Sequence, residues 1–310
     1  MNQIFAPAKL TLGFRVVGQR SDGYHLIDSE MTMVSFGDSI EVLDLFPRRD
    51  GRTSKFEVVD PLGLSRFGIS FAAVPTGIDN LLDRVAALFD VGIHARIQKR
   101  IPVGGGLGGG SADAGALTRY LISTFHESSN LDLTNLIFEL SKLGADIPVC
   151  FLARRAHVSG IGEIVEPMEG PQQGEGRHLR EFTLFLAPFS ISTPAVFRAF
   201  DEAKKIDIVA GHFANHLEGP ALAVSPALRS FRESIEKRFS VAPSLAGSGS
   251  TYFTVGHVID QMVRDEREFI SVDFGDEDEF RIVTFPDVND RSIIYLACEC
   301  REVQLGVGAR

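Results

Sequence analysis

Between Gly104 and Gly110 the chain carries six glycines in seven positions, interrupted only by Leu107. Pro102 and Val103 lead into this run and Ser111 ends it, giving PVGGGLGGGS. Glycine takes tight and left-handed turns and lets backbone approach a ligand closely. A glycine loop that opens a helix aims unpaired N–H groups at one point, which suits a phosphate. The alternative is a flexible linker, and the flanks speak against it. The strand-like His94–Ile101 leads in, and the helix-like Ala112–Ser123 leads out. Lys99 and Arg100 stand just before the loop, where cations would offset phosphate charge; paired surface charges are the plainer account. Neither common nucleotide signature is present. A P-loop needs Lys after its last glycine, and here Ser111 and Ala112 follow. The spacing Gly106-Leu107-Gly108-Gly109 fits the dinucleotide fingerprint poorly. The loop by itself specifies an anion cradle and leaves the anion open.

The elements around the loop read as a mixed α and β chain. Ile4–Val17 alternates Leu10, Leu12, Phe14 and Val16 with Lys9, Thr11, Gly13 and Arg15, so a strand with one wetter face is expected, broken at Pro7. Lys9 lies on that polar face, as a solvated lysine or a functional one. Ser21-Asp22-Gly23 is a turn that delivers Tyr24 and His25 to a strand start. Tyr24 could be a stacking platform or a half-buried strand residue. Phe36–Ser39 is expected to turn the chain, Pro47–Ser54 to form a hairpin loop, and the opening half to be antiparallel. Asp79 is a plausible N-cap for a helix over Asn80–Phe89. Asp132 or Asn130 starts a helix over Leu133–Leu143, which Gly144 stops. Asp146, before Pro148, is placed at the start of a strand. Gly170–Arg180 is a surface loop and the best boundary, dividing the chain into 1–168 and 169–310. In the second part, Thr193-Pro194 opens a helix with Thr as cap, His212–Leu217 is helical, and Ser225-Pro226 opens Ala227–Phe239. Leu245–Phe253 holds a second glycine turn, Val258–Asp265 a helix, and Ser271–Glu279 an acidic solvated loop without calcium-loop spacing. Arg281–Thr284 and Ile293–Cys298 close the chain as strands.

Composition narrows the class. With 310 residues and 44% hydrophobic content, the chain can build one large domain or two medium ones. A net charge of −10 disfavours a general nucleic-acid surface. Cys150, Cys298 and Cys300 make no disulfide framework, and Cys298 and Cys300 fit alternation along a strand better than a zinc pair. No eighteen-residue apolar span occurs, so no membrane span is expected, and a cytoplasmic protein is the default.

Three segments together resemble the GHMP small-molecule kinases. They are Pro7-Ala8-Lys9, the loop Pro102–Ser111, and the late glycine turn Ala246–Ser250. Within that superfamily the chain is similar to the kinases of a cytidine-diphosphate-linked methylerythritol. That narrower likeness rests on Gly18–His25 (GQRSDGYH), Leu143–Pro148 (LGADIP), and Ser192-Thr193-Pro194 with Phe197. Other GHMP kinases, acting on homoserine, mevalonate or a sugar, are the nearest alternatives, followed by an ATP-binding protein whose catalysis has decayed. The resemblance implies an α+β fold of two domains, the first like ribosomal protein S5 domain 2 and the second ferredoxin-like. It implies ATP and magnesium, a cytidine-diphosphate-linked substrate, and a monomer or weak homodimer.

The resemblance also assigns residues. Lys9 and Asp146 take the catalytic positions, Asp146 as base for the substrate 2-hydroxyl. Lys99, Pro102, Gly104, Gly105, Gly106, Leu107, Gly108, Gly109, Gly110 and Ser111 fall at the nucleotide, with Ser111 also the candidate magnesium ligand. Thr11, Tyr24, His25, Thr193, Phe197, Gly247 and Ser248 fall at the substrate, with Tyr24 and Phe197 about the cytosine ring and His25 at its edge. Two positions depart from the family pattern: Thr11 and Asp113 each stand where Asn is usual. A carboxylate beside phosphate is repulsive, so Asp113 is expected to face magnesium, Lys99 or Arg119.

Overall fold

The computed structural model describes residues 3–125, 132–168, 180–203, 213–259, 271–272, 280–287, 289–290 and 294–305. The chain opens with two long strands, β1 (Gln3–Gln19) and β2 (His25–Pro47), paired antiparallel. Then come β3 (Lys55–Val59), α1 (Leu81–Ala87), β4 (Val91–Gln98), α2 (Gly109–Phe125), α3 (Leu133–Leu143) and α4 (Ile147–Leu152). A small hairpin of β5 (Ala156–Gly160) and β6 (Ile164–Pro167) follows, and β5 pairs with β2. The second half runs β7 (Glu181–Leu186), α5 (Thr193–Glu202), α6 (Glu218–Val224) and α7 (Pro226–Phe239). It ends with β8 (Ser244–Leu245), β9 (Tyr252–Val255), β10 (Ser271–Val272), β11 (Phe280–Pro286) and β12 (Ile294–Val303).

The halves are joined by a strand. β12 pairs with β7 along Leu296–Arg301, and its last residues, Glu302 and Val303, pair with Val34 and Met33 of β2. The main sheet order is therefore β3-β4-β2-β12-β7-β9-β8. Cys298 and Cys300 lie on a strand, β12, as expected, but its residues from Tyr295 to Cys300 are all buried, Glu299 included, so burial does not alternate along it. Among the described residues no helix is long and apolar enough to cross a membrane.

Small residues set the position of α2. Ala112, Ala114, Gly115 and Ala116 are all buried, so α2 presses close to its neighbours. The closest approach is to α4: a Cβ on Gly115 would lie 2.5 Å from the carbonyl carbon of Cys150. Because α4 follows directly from Asp146, that packing also fixes where Asp146 stands.

Several local expectations are corrected. The stretch Phe36–Ser39 is not a turn; β2 runs through it for 23 residues. The pairing jumps from Pro7↔Gly37 to Ala8↔Val34, a bulge that absorbs Ser35 and Phe36 opposite a proline with no N–H to pair. Pro47–Ser54 is not a hairpin loop, because β4 inserts between β2 and β3, antiparallel to one and parallel to the other. Asp146 precedes a helix rather than a strand: Pro148 suits a first helical turn, and a short apolar run does not distinguish strand from helix. Two N-caps move by one residue. Asn80 caps α1 by accepting from Leu82 N, and Ser192 caps α5 by accepting from Ala195 N. Ala214–His216 is not helical but lies along the outer edge of β1, bridging Phe14 to Asn215. Position 212, the boundary loop at 170–179, most of the 258–265 helix and the acidic 273–279 loop lie outside the described residues.

Gly115→Ala should lower stability by about 1–3 kcal/mol, the usual range for overpacking a tight contact. A urea unfolding midpoint unchanged from the parent protein would contradict the close α2–α4 packing.

Candidate active site

The glycine run is half loop and half helix. Gly104, Gly106 and Gly108 take left-handed backbone angles (φ 70°, 81° and 66°), a conformation that side chains resist. Gly109 and Gly110 already belong to α2. The first-turn N–H groups of a helix have no carbonyl within it, so Gly109, Gly110 and Ser111 face the cleft with donors to offer. Gly106 is fixed by the late glycine turn. A Cβ there would lie 2.3 Å from Ala246 O, and Thr251 N donates to Gly105 O at 3.0 Å. Pro102 lines the cleft beside the loop. Leu107 departs from its predicted role: its side chain is fully buried in the core, and its carbonyl accepts from Lys9 N at 3.0 Å.

Lys9 stands against this loop. The wetter face expected of β1 is in fact covered, and Lys9 and Thr11 are 5% and 1% exposed. Burying an ammonium requires partners. Lys9 Nζ finds Asp146 Oδ2 at 3.3 Å, Thr11 Oγ1 at 3.1 Å and Gly106 O at 3.4 Å. Three acceptors match its three donors. Asp146 keeps about a third of its side chain exposed, so the pair is open on the carboxylate side. A Cβ on Gly108 would touch Lys9 Cε at 3.2 Å and Asp146 Oδ2 at 3.8 Å, so the loop lies directly against both groups. Here Thr11 serves as an acceptor for Lys9.

Lys99 lies beneath the start of α2, where a Cβ on Gly109 would be 3.3 Å from its Nζ. Its ammonium is held by Asp38 and, at 2.8 Å, by Asp113. Asp113 thus faces Lys99, one of the partners expected for it. Arg119 instead donates to the carbonyls of Cys150 and Phe151 at 2.6 and 3.1 Å. Asp38 Oδ1 also accepts from Arg100 N at 2.5 Å and Ile101 N at 2.9 Å, which pins the chain entering the loop. Burial opposes charge on Lys99, but the two carboxylates outweigh it and hold its pKa above the ordinary lysine range. Burial pushes the Asp113 carboxyl up to about 7, since Lys99 is already shared with Asp38.

The far end of the same cleft, about 960 Å³ in all, carries Tyr24, His25, Phe197 and Thr193. Tyr24 is 61% exposed at the rim. His25 stacks on Phe197 with ring centroids 4.7 Å apart. Thr193 Oγ1 and Ser248 Oγ are hydrogen-bonded at 2.8 Å, linking α5 to the late glycine turn, whose Gly247 has φ 60°. The cleft therefore brings together the predicted loop, the Lys9–Asp146 pair and the aromatic end.

Three contributors escaped the sequence reading. Asp38 was hidden by the false turn, although a carboxylate amid apolar strand residues was a signal. Asn215 donates to Leu245 O and Gly247 O at 2.9 and 2.7 Å and holds the late glycine turn from below. Asp201 bonds His25; its place near the end of α5, four residues after Phe197, was the available clue. Among the described residues no group of three His, Cys, Asp or Glu is placed to hold a metal.

This fold and cleft define a class, and comparison with known proteins agrees. Residues 76–154, which include the glycine loop, match the family described as GHMP kinases N terminal domain. The fold also matches the mevalonate kinase of Methanococcus jannaschii, with TM-score 0.54 at 12% identity over 97% of this chain and 98% of that one. A relative in Roseobacter denitrificans, a 4-diphosphocytidyl-2-C-methyl-D-erythritol kinase, is 34% identical over 82% of this chain and 84% of its own length. One from Agrobacterium fabrum with the same name is 32% identical over 82% and 87%. A crystal structure of 4-(cytidine 5'-diphospho)-2C-methyl-D-erythritol kinase matches with TM-score 0.62 and 26% identity, covering 84% of this chain and 92% of that one. The chain has the GHMP kinase fold. It belongs to the 4-diphosphocytidyl-2-C-methyl-D-erythritol kinase family.

Asp113 generates a pH prediction. Its folded pKa is raised above the ordinary 3.8, so the folded state binds the proton more tightly than the unfolded chain. Its contribution to stability is fully present below about pH 4 and is lost as pH rises through about 7. Relative to Asp113→Asn, the parent protein should lose urea resistance between pH 4 and 7. Parallel curves for the two proteins across that window would contradict the prediction.

Proposed function

We propose that this protein is an ATP-dependent kinase that phosphorylates the 2-hydroxyl of 4-diphosphocytidyl-2-C-methyl-D-erythritol, a step of non-mevalonate isoprenoid precursor synthesis. The observation that carries the reading is the Lys9–Asp146 pair, 3.3 Å apart and in contact with the glycine loop. Phosphate donors lie on one side of it and an aromatic site on the other.

Phosphoryl transfer is mainly a matter of positioning and charge. The N–H groups of Gly109, Gly110 and Ser111, at the positive end of α2, hold the ATP phosphates. Left-handed glycines support this fit, because a side chain at Gly104, Gly106 or Gly108 would strain the cradle. Asp146 orients the substrate hydroxyl and takes its proton as the oxygen bonds to the γ-phosphorus and the bond to ADP breaks. Lys9, 3.3 Å from Asp146 Oδ2, orients the carboxylate and offsets charge on the group in flight. Lys99 supports the nucleotide end from below the loop, as part of its ion cluster with Asp38 and Asp113.

Magnesium neutralises phosphate charge when bound. The Ser111 hydroxyl, in the first turn of α2, would be its protein ligand, with phosphate oxygens and water completing the set. Tyr24 and Phe197 flank the cytosine, His25 meets its edge, and Thr11, Thr193, Gly247 and Ser248 shape the wall between base and hydroxyl.

ATP consumption should be measured with the cytidylyl alcohol, mevalonate and homoserine in parallel. Turnover confined to the cytidylyl alcohol is expected. Preference for either other alcohol would overturn the substrate assignment. Asp146→Asn and Lys9→Met should each lower kcat by roughly 10²–10⁴-fold with the fold retained. Near-normal rates in both would refute the assigned chemistry.

A further inference from the structure

One helix holds the His25 ring. Phe197, Phe200 and Asp201 stand at i, i+3 and i+4 on α5, so they share a face. Phe197 stacks on the imidazole with 22° between the planes, and Phe200 meets it edge-on, with centroids 5.8 Å apart and the planes at 90°. Asp201 Oδ1 lies 2.7 Å from His25 Nε2. The His25 side chain is 11% exposed, so these contacts leave it little freedom.

Asp201 is unusual for its position. It is the second-last residue of α5, where the negative end of the helix dipole disfavours a carboxylate. The helix gains nothing from it there, whereas His25 gains a partner. An ionised carboxylate only accepts, so the proton of this hydrogen bond resides on Nε2. In the neutral ring Nδ1 then carries a lone pair. No hydrogen bond to Nδ1 occurs among the described residues, and His25 and Asp201 both line the aromatic end of the cleft.

We infer that Asp201 is a positioning residue for base recognition: by holding Nε2–H it presents His25 Nδ1 as a fixed acceptor that selects cytosine over uracil. Cytosine offers an amino donor at position 4, where uracil offers a carbonyl acceptor. A lone pair facing that position attracts the first and repels the second. The inference rests on reading this end of the cleft as the cytidylyl site.

The test uses the intact protein, with cytidine 5'-diphosphate and uridine 5'-diphosphate as probes in calorimetry. His25 ring nitrogens are followed by ¹⁵N NMR. The parent protein should show a protonated Nε2, an unprotonated Nδ1 that shifts on adding the cytidine probe, and at least roughly tenfold preference for that probe. Asp201→Ala should reduce the preference to about twofold with ATP affinity unchanged. Asp201→Asn retains a carbonyl acceptor for Nε2–H and should keep most of it. An Nδ1-protonated ring in the parent overturns the inference. So does an equal cytidine preference in the parent protein and Asp201→Ala, or its absence from the parent. Asp201-dependent cytidine preference without turnover of the cytidylyl alcohol would fail the kinase reading and leave this inference standing.

Discussion

The buried ammonium of Lys9 is the constraint on which the site depends. An ammonium taken out of water needs its donors satisfied, and no single element supplies three acceptors here. Thr11 comes from the same strand, Gly106 O from the glycine loop, and Asp146 from the residue before α4. β1, the loop and α4 must therefore converge on one point. α4 is brought there by the close approach of Gly115, and the loop is brought there by the late glycine turn. A site that looks like a few side chains is thus a requirement on three backbones.

A second buried cluster supports the first from below. Lys99, Asp38 and Asp113 tie β2, the chain after β4, and the second turn of α2 together. Removing Lys99 would leave two carboxylates buried without their shared cation, so the cluster specifies the local arrangement more firmly than it stabilises it. The carboxylate of Asp113 beside a phosphate loop was an electrostatic conflict on paper. In the fold its Oδ2 is paired with Lys99 Nζ at 2.8 Å, inside the same cleft that the loop lines.

The two halves of the chain meet over this site. β12 belongs to the second-half sheet for most of its length and finishes against β2. Asn215, from a segment running beside β1, grips Leu245 and Gly247. Thr193 and Ser248 close the wall between them. The late glycine turn is therefore held by Asn215 below, the glycine loop in front and α5 at its side. Each hold comes from a different stretch of chain.

The sequence by itself determined what is local. Six glycines between a strand-like and a helix-like flank read as a tight backbone feature at a helix start rather than a linker, since glycine's freedom is a property of the residue and the flanks are local pattern. Alternation placed the strands, and the stop of α3 and the start of α7 were legible because capping is a matter of neighbours within a few positions. Motif likeness then gathered Lys9, the loop, Asp146, Tyr24 and His25 into one site. What tertiary structure decided was longer in range. Phe36–Ser39 resembles a turn, but strand pairing with Pro7 turns it into a bulge, and this carries Asp38 to Lys99. The Asp146 segment is apolar enough for strand or helix, and packing against Gly115 made it a helix. Lys9 lies in an alternating strand whose polar face would face water, until the loop and late turn cover it. Those outcomes depend on partners as distant in sequence as Thr11 and Gly247, and periodicity within one segment holds no record of them.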